Sequence, residues 1–279
     1  MTQGRILLTG VTGYIGGSVL HQLLLSKHPA IKDAEIACLV RDQETVAQLH
    51  AAFGHRLKVV GFEGLEDAER LVEIASQYNV IFNMTLSYHL ASALAFIKGL
   101  SSRRESTGRN VWMVHTSGVS NLADQPLSGL HVESNPDLEF DNSKDDIYVY
   151  GKARNSKKRY IQRTTDLGMI DAGLESGVTT VVLMSPLIYG NKRSLQVTRL
   201  VQAAISEGQA IVVGDGKGVW DNVHIEDQAE LYELILKPIL SKDGASLPTG
   251  KQGIVFSAHR RHMWLEVSQA VTDAASKAE

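Results

Sequence analysis

Three glycines near the amino terminus have the spacing of a phosphate-binding turn. Gly10, Gly13 and Gly16 follow a short apolar run and lead into a segment with helical periodicity. In such a unit the first glycine makes the tight turn, the second lets the backbone approach a pyrophosphate, and the third lets helix and strand pack closely. Unpaired N–H groups at the start of the helix then face the anion. The residues predicted to hold a dinucleotide here are Gly10, Thr12, Gly13, Tyr14, Ile15 and Gly16.

The end of the second predicted strand carries a base followed by an acid. Arg41 and Asp42 come directly after Val40. At this place an arginine binds the 2′-phosphate of NADP, whereas an acidic side chain binds the ribose 2′-hydroxyl of NAD. Arg41 comes first after the strand, so the sequence favours NADP, with NAD selected by Asp42 as the alternative. A solvated surface pair with no ligand is the simplest alternative to both.

The elements that must position these residues alternate between strands and helices. Apolar runs of strand length occupy residues 5–9, 35–40, 57–60, 80–84, 110–116 and 179–184. Most of them are continuous, as in strands that are covered on both faces. Segments of helical period begin near Ile15 and span residues 66–78, 90–100 and 157–175. This alternation predicts an α/β fold, a Rossmann-type doubly wound parallel sheet with a small C-terminal substrate lobe.

The pattern loosens after Gly190. Helices are predicted over residues 195–207, 227–236 and 263–275, and short strands over residues 211–213 and 253–256. We therefore expect an NAD(P)-binding domain over residues 1–190 and a smaller substrate lobe over residues 191–279, with residues 225–240 packing back on the core. Residues 121–146 form the longest stretch without a periodic pattern, and long loops of this kind are often functional.

The composition argues against several classes of function. With 28 basic and 31 acidic side chains the net charge is −3, too near neutral for nucleic acid to be the expected partner. No apolar run approaches the roughly 20 residues of a membrane-spanning helix, and the amino terminus does not resemble a signal peptide. We expect a cytoplasmic protein without a membrane partner. The single cysteine, Cys38, and the pair His259 and His262 predict neither a disulfide nor a metal site.

Four motifs together resemble one superfamily. They are TGVTGYIG at residues 9–16, VHTSG at 114–118, PLIYG at 186–190 and VHIED at 223–227. Over nearly the whole chain the sequence resembles the extended short-chain dehydrogenase/reductase superfamily. Within that superfamily it is most similar to the atypical NAD-dependent epimerase/dehydratase-like proteins of fungi, which are mostly uncharacterised. The resemblance implies that Asn83 and Thr85, and Pro186 and Ile188, line the nicotinamide side of the site.

The resemblance also implies where catalysis would occur. The superfamily uses a Ser or Thr after the fifth strand, which Ser117 matches, and a Tyr with a Lys four residues later. Tyr148 and Lys152 have that spacing, and one helical turn would bring the lysine close enough to lower the pKa of the tyrosine. In the superfamily these groups transfer a proton coupled to hydride transfer.

The register of the chain argues against the Tyr148 and Lys152 pair. Thirty-four positions separate Lys152 from Pro186, whereas a helix, a short loop and a strand account for about 25. Counting back reaches Arg163, which with Asp166 matches an Arg and Asp found in the fungal relatives. Arg163 could hold the cofactor ribose but cannot titrate. Tyr148 and Lys152 would then lie in the tail of the long loop, and Tyr160 would point away from the site.

Two classes of function remain. The first is an NAD(P)-dependent oxidoreductase or epimerase/dehydratase-like enzyme acting on a small-molecule carbonyl or hydroxyl substrate. The alternative is a catalytically degenerate dinucleotide-binding protein that acts as a redox sensor or regulatory protein. Relatives usually continue past the helix at residues 263–275 and cover the substrate cleft. We therefore expect an open cleft here, unless a partner subunit, as in a homodimer, supplies the cover.

Overall fold

A parallel sheet of seven strands forms the centre of the chain. The computed structural model describes residues 4–125, 129, 135, 138–191, 194–212 and 214–277. The seven strands run parallel in the order β3-β2-β1-β4-β5-β6-β9. Their bounds are β1 Arg5–Thr9, β2 Glu35–Val40, β3 Lys58–Gly61, β4 Val80–Asn83, β5 Trp112–Gly118, β6 Thr179–Ser185 and β9 Ile254–Phe256.

Helices cover both faces of this sheet. On the face of Ile6 and Leu8 lie α1 (Tyr14–Leu25), α2 (Pro29–Lys32), α3 (Gln43–Phe53) and α9 (Ile225–Lys242). On the opposite face, that of Leu7, lie α4 (Ala68–Ala75), α5 (Leu90–Thr107), α6 (Ile147–Lys157) and α7 (Ile161–Ser176). Strand order reverses between β1 and β4, which in open α/β sheets opens a crevice at the carboxyl ends of the strands. The predicted fold class is confirmed.

A second, smaller sheet follows the main one. Its strands are β7 (Leu187–Tyr189), β8 (Val219–His224) and β10 (Arg260–Met263), in the order β10-β8-β7. Helices α8 (Leu195–Glu207) and α10 (Trp264–Ser276) pack against each other beside it. Two later elements return to the large sheet, because β9 pairs with β6 and α9 packs against α1. Among the described helices, none is long and apolar enough to cross a bilayer.

One strand prediction is wrong. Ile211 and Val212 lie outside any strand, and Val213 lies outside the described residues. The Ile211 carbonyl instead accepts a hydrogen bond from the Ser268 hydroxyl of α10, at 2.5 Å. An apolar triplet without a neighbouring strand cannot complete a hydrogen-bonded ladder, and here a helix provides the partner.

The helix predicted over residues 157–175 corresponds to α7, and a helix that was not predicted, α6, precedes it. The Asp146 side chain accepts a hydrogen bond from the Val149 N–H at 2.9 Å and so caps the start of α6. Tyr148 and Lys152 therefore lie in a helix, and their predicted placement in the tail of a loop is wrong. The additional helix supplies the positions that the register count could not assign.

Candidate functional site

The glycine turn after β1 is packed against the end of β4. Gly10 has a φ of +67°, and a Cβ added there would lie 2.4 Å from the Met84 carbonyl oxygen. A Cβ added at Gly16, in the first turn of α1, would lie 2.2 Å from the Gly10 carbonyl oxygen. Only glycine fits at either position without backbone movement. Strand, turn and helix therefore meet with no side chain between them.

The start of α1 has the features of an anion site. Gly13 is the N-cap and provides no side-chain cap, so the first N–H groups of the helix have no capping partner. Thr12 is exposed, and Tyr14 and Ile15 are half-buried. The Tyr14 hydroxyl donates to the Gly190 carbonyl at 2.7 Å, which ties this turn to the end of β7. These residues fit a pyrophosphate bound at a helix N-terminus.

The two charged residues after β2 have different surroundings. The Asp42 carboxylate caps α3, because it accepts hydrogen bonds from the Thr45 N–H at 2.6 Å and the Thr45 hydroxyl at 2.7 Å. These bonds lower the pKa of Asp42. The Arg41 side chain is exposed, and it forms no hydrogen bond or ion pair with another described residue. Arg41 is thus available to a ligand, while the carboxylate of Asp42 is already engaged.

Asn83 and Thr85 begin a chain of polar contacts beneath the edge of the sheet. The Asn83 side-chain oxygen accepts hydrogen bonds from the hydroxyl groups of Thr85, at 2.7 Å, and Thr9, at 3.2 Å. The Asn83 side-chain nitrogen lies 3.0 Å from Nδ1 of His115. Asn83 and His115 are each about 1% exposed. The predicted nicotinamide-side residues therefore connect directly to a buried imidazole.

A buried carboxyl group continues this chain to Ser117. The Ser117 hydroxyl and the Asn121 side-chain amide donate to Oδ2 of Asp166 at 2.6 and 2.5 Å. Oδ1 of Asp166 lies 3.5 Å from Nε2 of His115. Burial raises the pKa of Asp166 to about 8, against the hydrogen bonds from Ser117 and Asn121. Burial also lowers the pKa of His115 to about 4, against a backbone contact with Ser87.

Four half-buried side chains, here called the polar rim, form a second network of hydrogen bonds. The rim consists of Ser87, Ser120, Tyr160 and Gln162. Gln162 donates to the Ser87 hydroxyl at 2.7 Å and accepts from the Ser120 hydroxyl at 2.8 Å. The Tyr160 hydroxyl lies 3.3 Å from the Ser120 hydroxyl. Sequence reasoning missed this rim and expected Tyr160 to point away. Ser120, three residues after Ser117, was the one available signal.

The two buried arginines beside the site bind backbone carbonyl groups. Arg163 donates to the carbonyls of Asn121, at 2.6 Å, and Lys158, at 2.9 Å. Arg154 donates to the Ala123 carbonyl at 2.6 Å. The guanidinium groups therefore hold the segment after β5 and the junction between α6 and α7. Binding of a cofactor ribose by Arg163 stays a prediction.

Tyr148 and Lys152 form a separate cluster with Asp171. The Tyr148 hydroxyl donates to Asp171 and accepts from Nζ of Lys152 at 3.2 Å. Burial and the Asp171 contact raise the pKa of Tyr148, against the Lys152 hydrogen bond. Within the part of the chain that the structure describes, no hydrogen bond connects this cluster to Ser117. A role for the pair in catalysis remains a prediction.

The remaining predicted residues lie at the junction with the small sheet. Pro186 is buried between β6 and β7, and Ile188 is half-buried in β7. Both stand near Gly190, which receives the hydrogen bond from Tyr14. Their contact with a nicotinamide stays a prediction. In the described residues no group of three or more His, Cys, Asp or Glu side chains could hold a metal ion.

Comparisons with other sequences identify fungal relatives. No protein-family model matches the chain. The oxidase ucsJ of an Acremonium species is 28% identical over 285 residues, which cover 97% of this chain and 78% of the relative. An uncharacterised protein of Schizosaccharomyces pombe is 25% identical over 84% of this chain and 70% of its own length. The chain is thus similar to an oxidase and to an uncharacterised protein.

Comparisons with solved structures identify epimerases and dehydratases. DesIV of Streptomyces venezuelae, a dTDP-glucose 4,6-dehydratase solved with NAD and DAU bound, has a TM-score of 0.65 and 17% identity, covering 98% of this chain and 81% of its own. UDP-glucuronic acid 4-epimerase of Bacillus cereus, solved with UDP-glucuronic acid and NAD, has a TM-score of 0.63 and 12% identity. The match covers 98% of this chain and 83% of the epimerase chain. The predicted resemblance to extended short-chain dehydrogenase/reductase enzymes is confirmed at the level of the fold.

The close approach at Gly16 predicts a specific loss of dinucleotide binding. We expect Gly16→Ala to displace the turn, lower the free energy of unfolding by about 1–3 kcal/mol and weaken cofactor binding by at least about tenfold. The matched control is Gly218→Ala, where the nearest atom to a new Cβ lies at 3.5 Å. Chemical denaturation and a fluorescence titration with dinucleotide measure both effects. Parent-like binding by Gly16→Ala would contradict the assignment of this turn.

The buried carboxyl of Asp166 predicts a pH dependence of stability. Because the pKa of Asp166 is raised to about 8, the folded state binds more protons than the unfolded state above pH about 4, and stability falls as the pH rises toward 8. His115 acts in the opposite sense, but only below pH about 6.5. Between pH 6.5 and 8 the free energy of unfolding of the parent should therefore fall by roughly 1–2 kcal/mol more than that of Asp166→Asn. The control is Glu175→Gln, an exposed carboxyl on the same helix.

Urea denaturation at several pH values measures this difference. Equal slopes of stability against pH for the parent and Asp166→Asn would show that the Asp166 carboxyl titrates normally.

Proposed function

We propose that this chain binds a nicotinamide dinucleotide and acts as an oxidoreductase or epimerase/dehydratase-like enzyme on a small carbonyl or hydroxyl substrate. One observation carries the proposal. The uncapped start of α1 and the polar side chains that follow β4 and β5 lie at the same edge of a doubly wound sheet, beside its switch point. That edge is where such sheets bind dinucleotides.

Each part of the edge has a role in this proposal. The glycine turn and the first N–H groups of α1 bind the pyrophosphate. Asn83 and Thr85 at the end of β4, with Pro186 and Ile188, position the nicotinamide. The dinucleotide, when bound, supplies or accepts a hydride at the substrate carbon.

The polar rim holds the substrate oxygen in this proposal. The hydroxyl groups of Ser120 and Tyr160 lie 3.3 Å apart and are half-buried, so both can reach a ligand in the crevice. Gln162 fixes Ser120 in place. In the structure the Tyr160 hydroxyl donates to Ser120, and the Ser120 hydroxyl donates to Gln162. In this proposal the Tyr160 hydroxyl turns from Ser120 to a substrate carbonyl, whose oxygen gains charge during reduction.

The comparisons support this class of reaction. The two solved structures described above contain NAD, and one relative is named as an oxidase. For this chain we propose NADP in preference to NAD. The exposed Arg41 side chain forms no hydrogen bond with another described residue, and the carboxylate of Asp42 is engaged with Thr45. A guanidinium group is well suited to bind a phosphate.

A catalytically degenerate sensor is the second candidate, and one observation favours it. Tyr148 and Lys152 bind Asp171 instead of joining Ser117, and Arg163 binds backbone carbonyls. Such a protein would bind dinucleotide without turnover. Titration with NADPH, combined with NADPH oxidation across a panel of aldehydes, ketones and imines, separates the two candidates. Binding with turnover supports the enzyme, binding without turnover supports the sensor, and no binding contradicts both.

The surroundings of Arg41 predict the cofactor preference. We expect NADPH to bind at least about tenfold more tightly than NADH, and Arg41→Ala to remove this preference, because a charge-assisted hydrogen bond contributes about 1.5–3 kcal/mol. Arg109→Ala, at the opposite end of the sheet just before β5, should leave it unchanged. Calorimetric titration with both cofactors measures the ratio. Equal affinities in the parent would contradict an NADP site.

Two tyrosine variants test the polar rim. Tyr160→Phe should raise KM roughly three- to tenfold, because one neutral hydrogen bond to the substrate is lost. Tyr148→Phe, whose hydroxyl faces Asp171, should stay within a few-fold of the parent in both kcat and KM. Steady-state NADPH oxidation measures both variants. If Tyr148→Phe lowers kcat by about 10² or more, then Tyr148 is the general acid.

A further inference from the structure

The hydrogen bonds around Ser117 limit what its hydroxyl group can offer to a substrate. Ser117 lies at the carboxyl end of β5 and is 5% exposed. It donates its proton to Oδ2 of Asp166 at 2.6 Å, and its oxygen accepts from Nδ2 of Asn121 at 3.2 Å. A hydroxyl group has one proton and two lone pairs. The Ser117 oxygen therefore keeps one lone pair and no proton for a ligand, so it is suited to a ligand group that donates a hydrogen bond.

The orientation of the Asn83 amide fixes the proton of the His115 imidazole. The Asn83 side-chain oxygen accepts from the hydroxyl groups of Thr85, at 2.7 Å, and Thr9, at 3.2 Å. The amide nitrogen therefore faces Nδ1 of His115, at 3.0 Å, and donates to it. Burial lowers the pKa of His115 to about 4, so the ring is neutral near pH 7 and carries one proton. Because Nδ1 accepts a hydrogen bond, that proton is on Nε2.

Asp166 is surrounded by hydrogen-bond donors at both of its oxygen atoms. Oδ2 accepts from the Ser117 hydroxyl and from the Asn121 amide, at 2.6 and 2.5 Å. Oδ1 lies 3.5 Å from Nε2 of His115, the ring nitrogen that carries the proton. Hydrogen bonds donated to a carboxyl group favour its charged form. The geometry is thus that of a carboxylate, and a carboxylate can take the proton that Ser117 already directs at Oδ2.

The other ionisable groups of this cluster keep their charge near neutral pH. His115 on β5 stays neutral above pH about 4. Arg163 on α7 and Arg154 on α6 donate to the carbonyls of residues 121 and 123, and neither forms an ion pair with Asp166 in the described part of the chain. Guanidinium groups do not lose their proton in proteins. Burial raises the pKa of Asp166 to about 8, so among these groups Asp166 is the one that changes charge between pH 6 and 9.

We propose that the site takes its substrate as an alcohol, whose hydroxyl group donates to Ser117, and that the Asp166 carboxylate receives the proton through Ser117. Ser117 contacts the substrate in this reaction, and Asp166 is a positioning residue that acts through it. The inference rests on the proposed function, because an oxidised nicotinamide dinucleotide must accept the hydride. It deepens that function by choosing the hydroxyl form of the substrate, and so the direction of oxidation.

Atoms and charges balance along this path. The carbinol carbon gives a hydride to the oxidised dinucleotide, and the electron pair of the substrate O–H bond becomes the π bond of the new carbonyl group. The hydroxyl proton passes to the Ser117 oxygen, while the Ser117 proton passes to Oδ2 of Asp166. After the carbonyl product leaves, Oδ2 returns its proton to Ser117, and Ser117 releases one to water in the crevice.

Infrared difference spectroscopy tests the direction of the Ser117 hydrogen bond without cofactor or turnover. A protonated carboxyl group has a C=O stretching band that a carboxylate lacks. In the parent this band should disappear as the pH rises through about 8, and it should be absent from Asp166→Asn. Ser117→Ala should move the midpoint to higher pH, because it removes a donor that stabilises the carboxylate. The control Glu175→Gln, an exposed carboxyl on the same helix, should leave the midpoint unchanged.

Two infrared results would overturn the proposal. A midpoint that moves to lower pH in Ser117→Ala would show that Ser117 accepts a proton from a neutral acid. A band that persists in the parent at pH 9.5 would show that Asp166 does not become a carboxylate in the range where it must act.

Kinetics test the path of the proton. With NADP as oxidant and a panel of primary and secondary alcohols, kcat of the parent should rise as the pH rises through about 8 and then level off. At pH 9, Asp166→Asn and Ser117→Ala should each lower kcat by about 10²-fold, and Asp166→Asn should lack the rise with pH. Glu175→Gln should match the parent throughout.

Two kinetic results would contradict the path. They are a parent-like kcat in Ser117→Ala and a parent kcat that does not change between pH 6 and 9. If Asp166→Asn does not fold, Ser117→Ala still provides both the infrared shift and the loss of rate.

Failure of the proposed function gives a different result. If the chain binds neither NADP nor NADPH, the dinucleotide proposal fails, whatever the infrared titration shows. If the chain binds NADP and oxidises alcohols but Ser117→Ala behaves like the parent, the dinucleotide proposal stands and the path through Ser117 fails.

Discussion

The close packing of β1, α1 and β4 around Gly10 is the constraint on which the candidate site depends. Carbonyl oxygens lie where Cβ atoms at Gly10 and Gly16 would stand. With no side chain between these elements, the start of α1 and the end of β4 are held side by side. The anion-binding N–H groups and the polar residues Asn83 and Thr85 consequently share one edge. The same packing places Tyr14 where its hydroxyl reaches Gly190, so the small sheet is anchored to the same turn.

Burial of the polar groups behind that edge costs free energy. A buried carboxyl group beside a buried imidazole is unfavourable unless hydrogen bonds or a proton compensate it. Ser117 and Asn121 compensate one oxygen of Asp166, and two arginines fix the backbone of the segment that carries Asn121. An apolar pair would fill this space at less cost in free energy. Perturbed ionisable groups of this kind are concentrated at functional sites, which fits their place directly beneath the proposed crevice.

The sequence predicted those strands and helices whose apolar residues follow a clear local pattern. The strands β1 and β2 have the predicted bounds, because buried parallel strands appear as continuous apolar runs. Helix α3 was not predicted, because most of its residues are exposed, although Val46, Leu49 and Phe53 stand at helical spacing and pack against the core. The contacts between side chains of the candidate site could not be predicted from such patterns. Asp166 is 49 positions from Ser117, and Tyr160 is 40 positions from Ser120. Spacing cannot show which side chains meet across a sheet edge.

The proposed cofactor preference also follows from local backbone chemistry. A helix leaves its first N–H groups without partners, and an Asp at the N-cap is among the best residues to satisfy one. Helix α3 begins directly after Asp42, so forming the helix engages this carboxylate with Thr45. The preceding residue, Arg41, lies outside the helix and keeps its guanidinium group exposed. Helix capping thus orients the Asp42 carboxylate, which keeps its charge, toward Thr45, and it leaves the guanidinium group of Arg41 outside the helix, as the proposed preference for NADP requires.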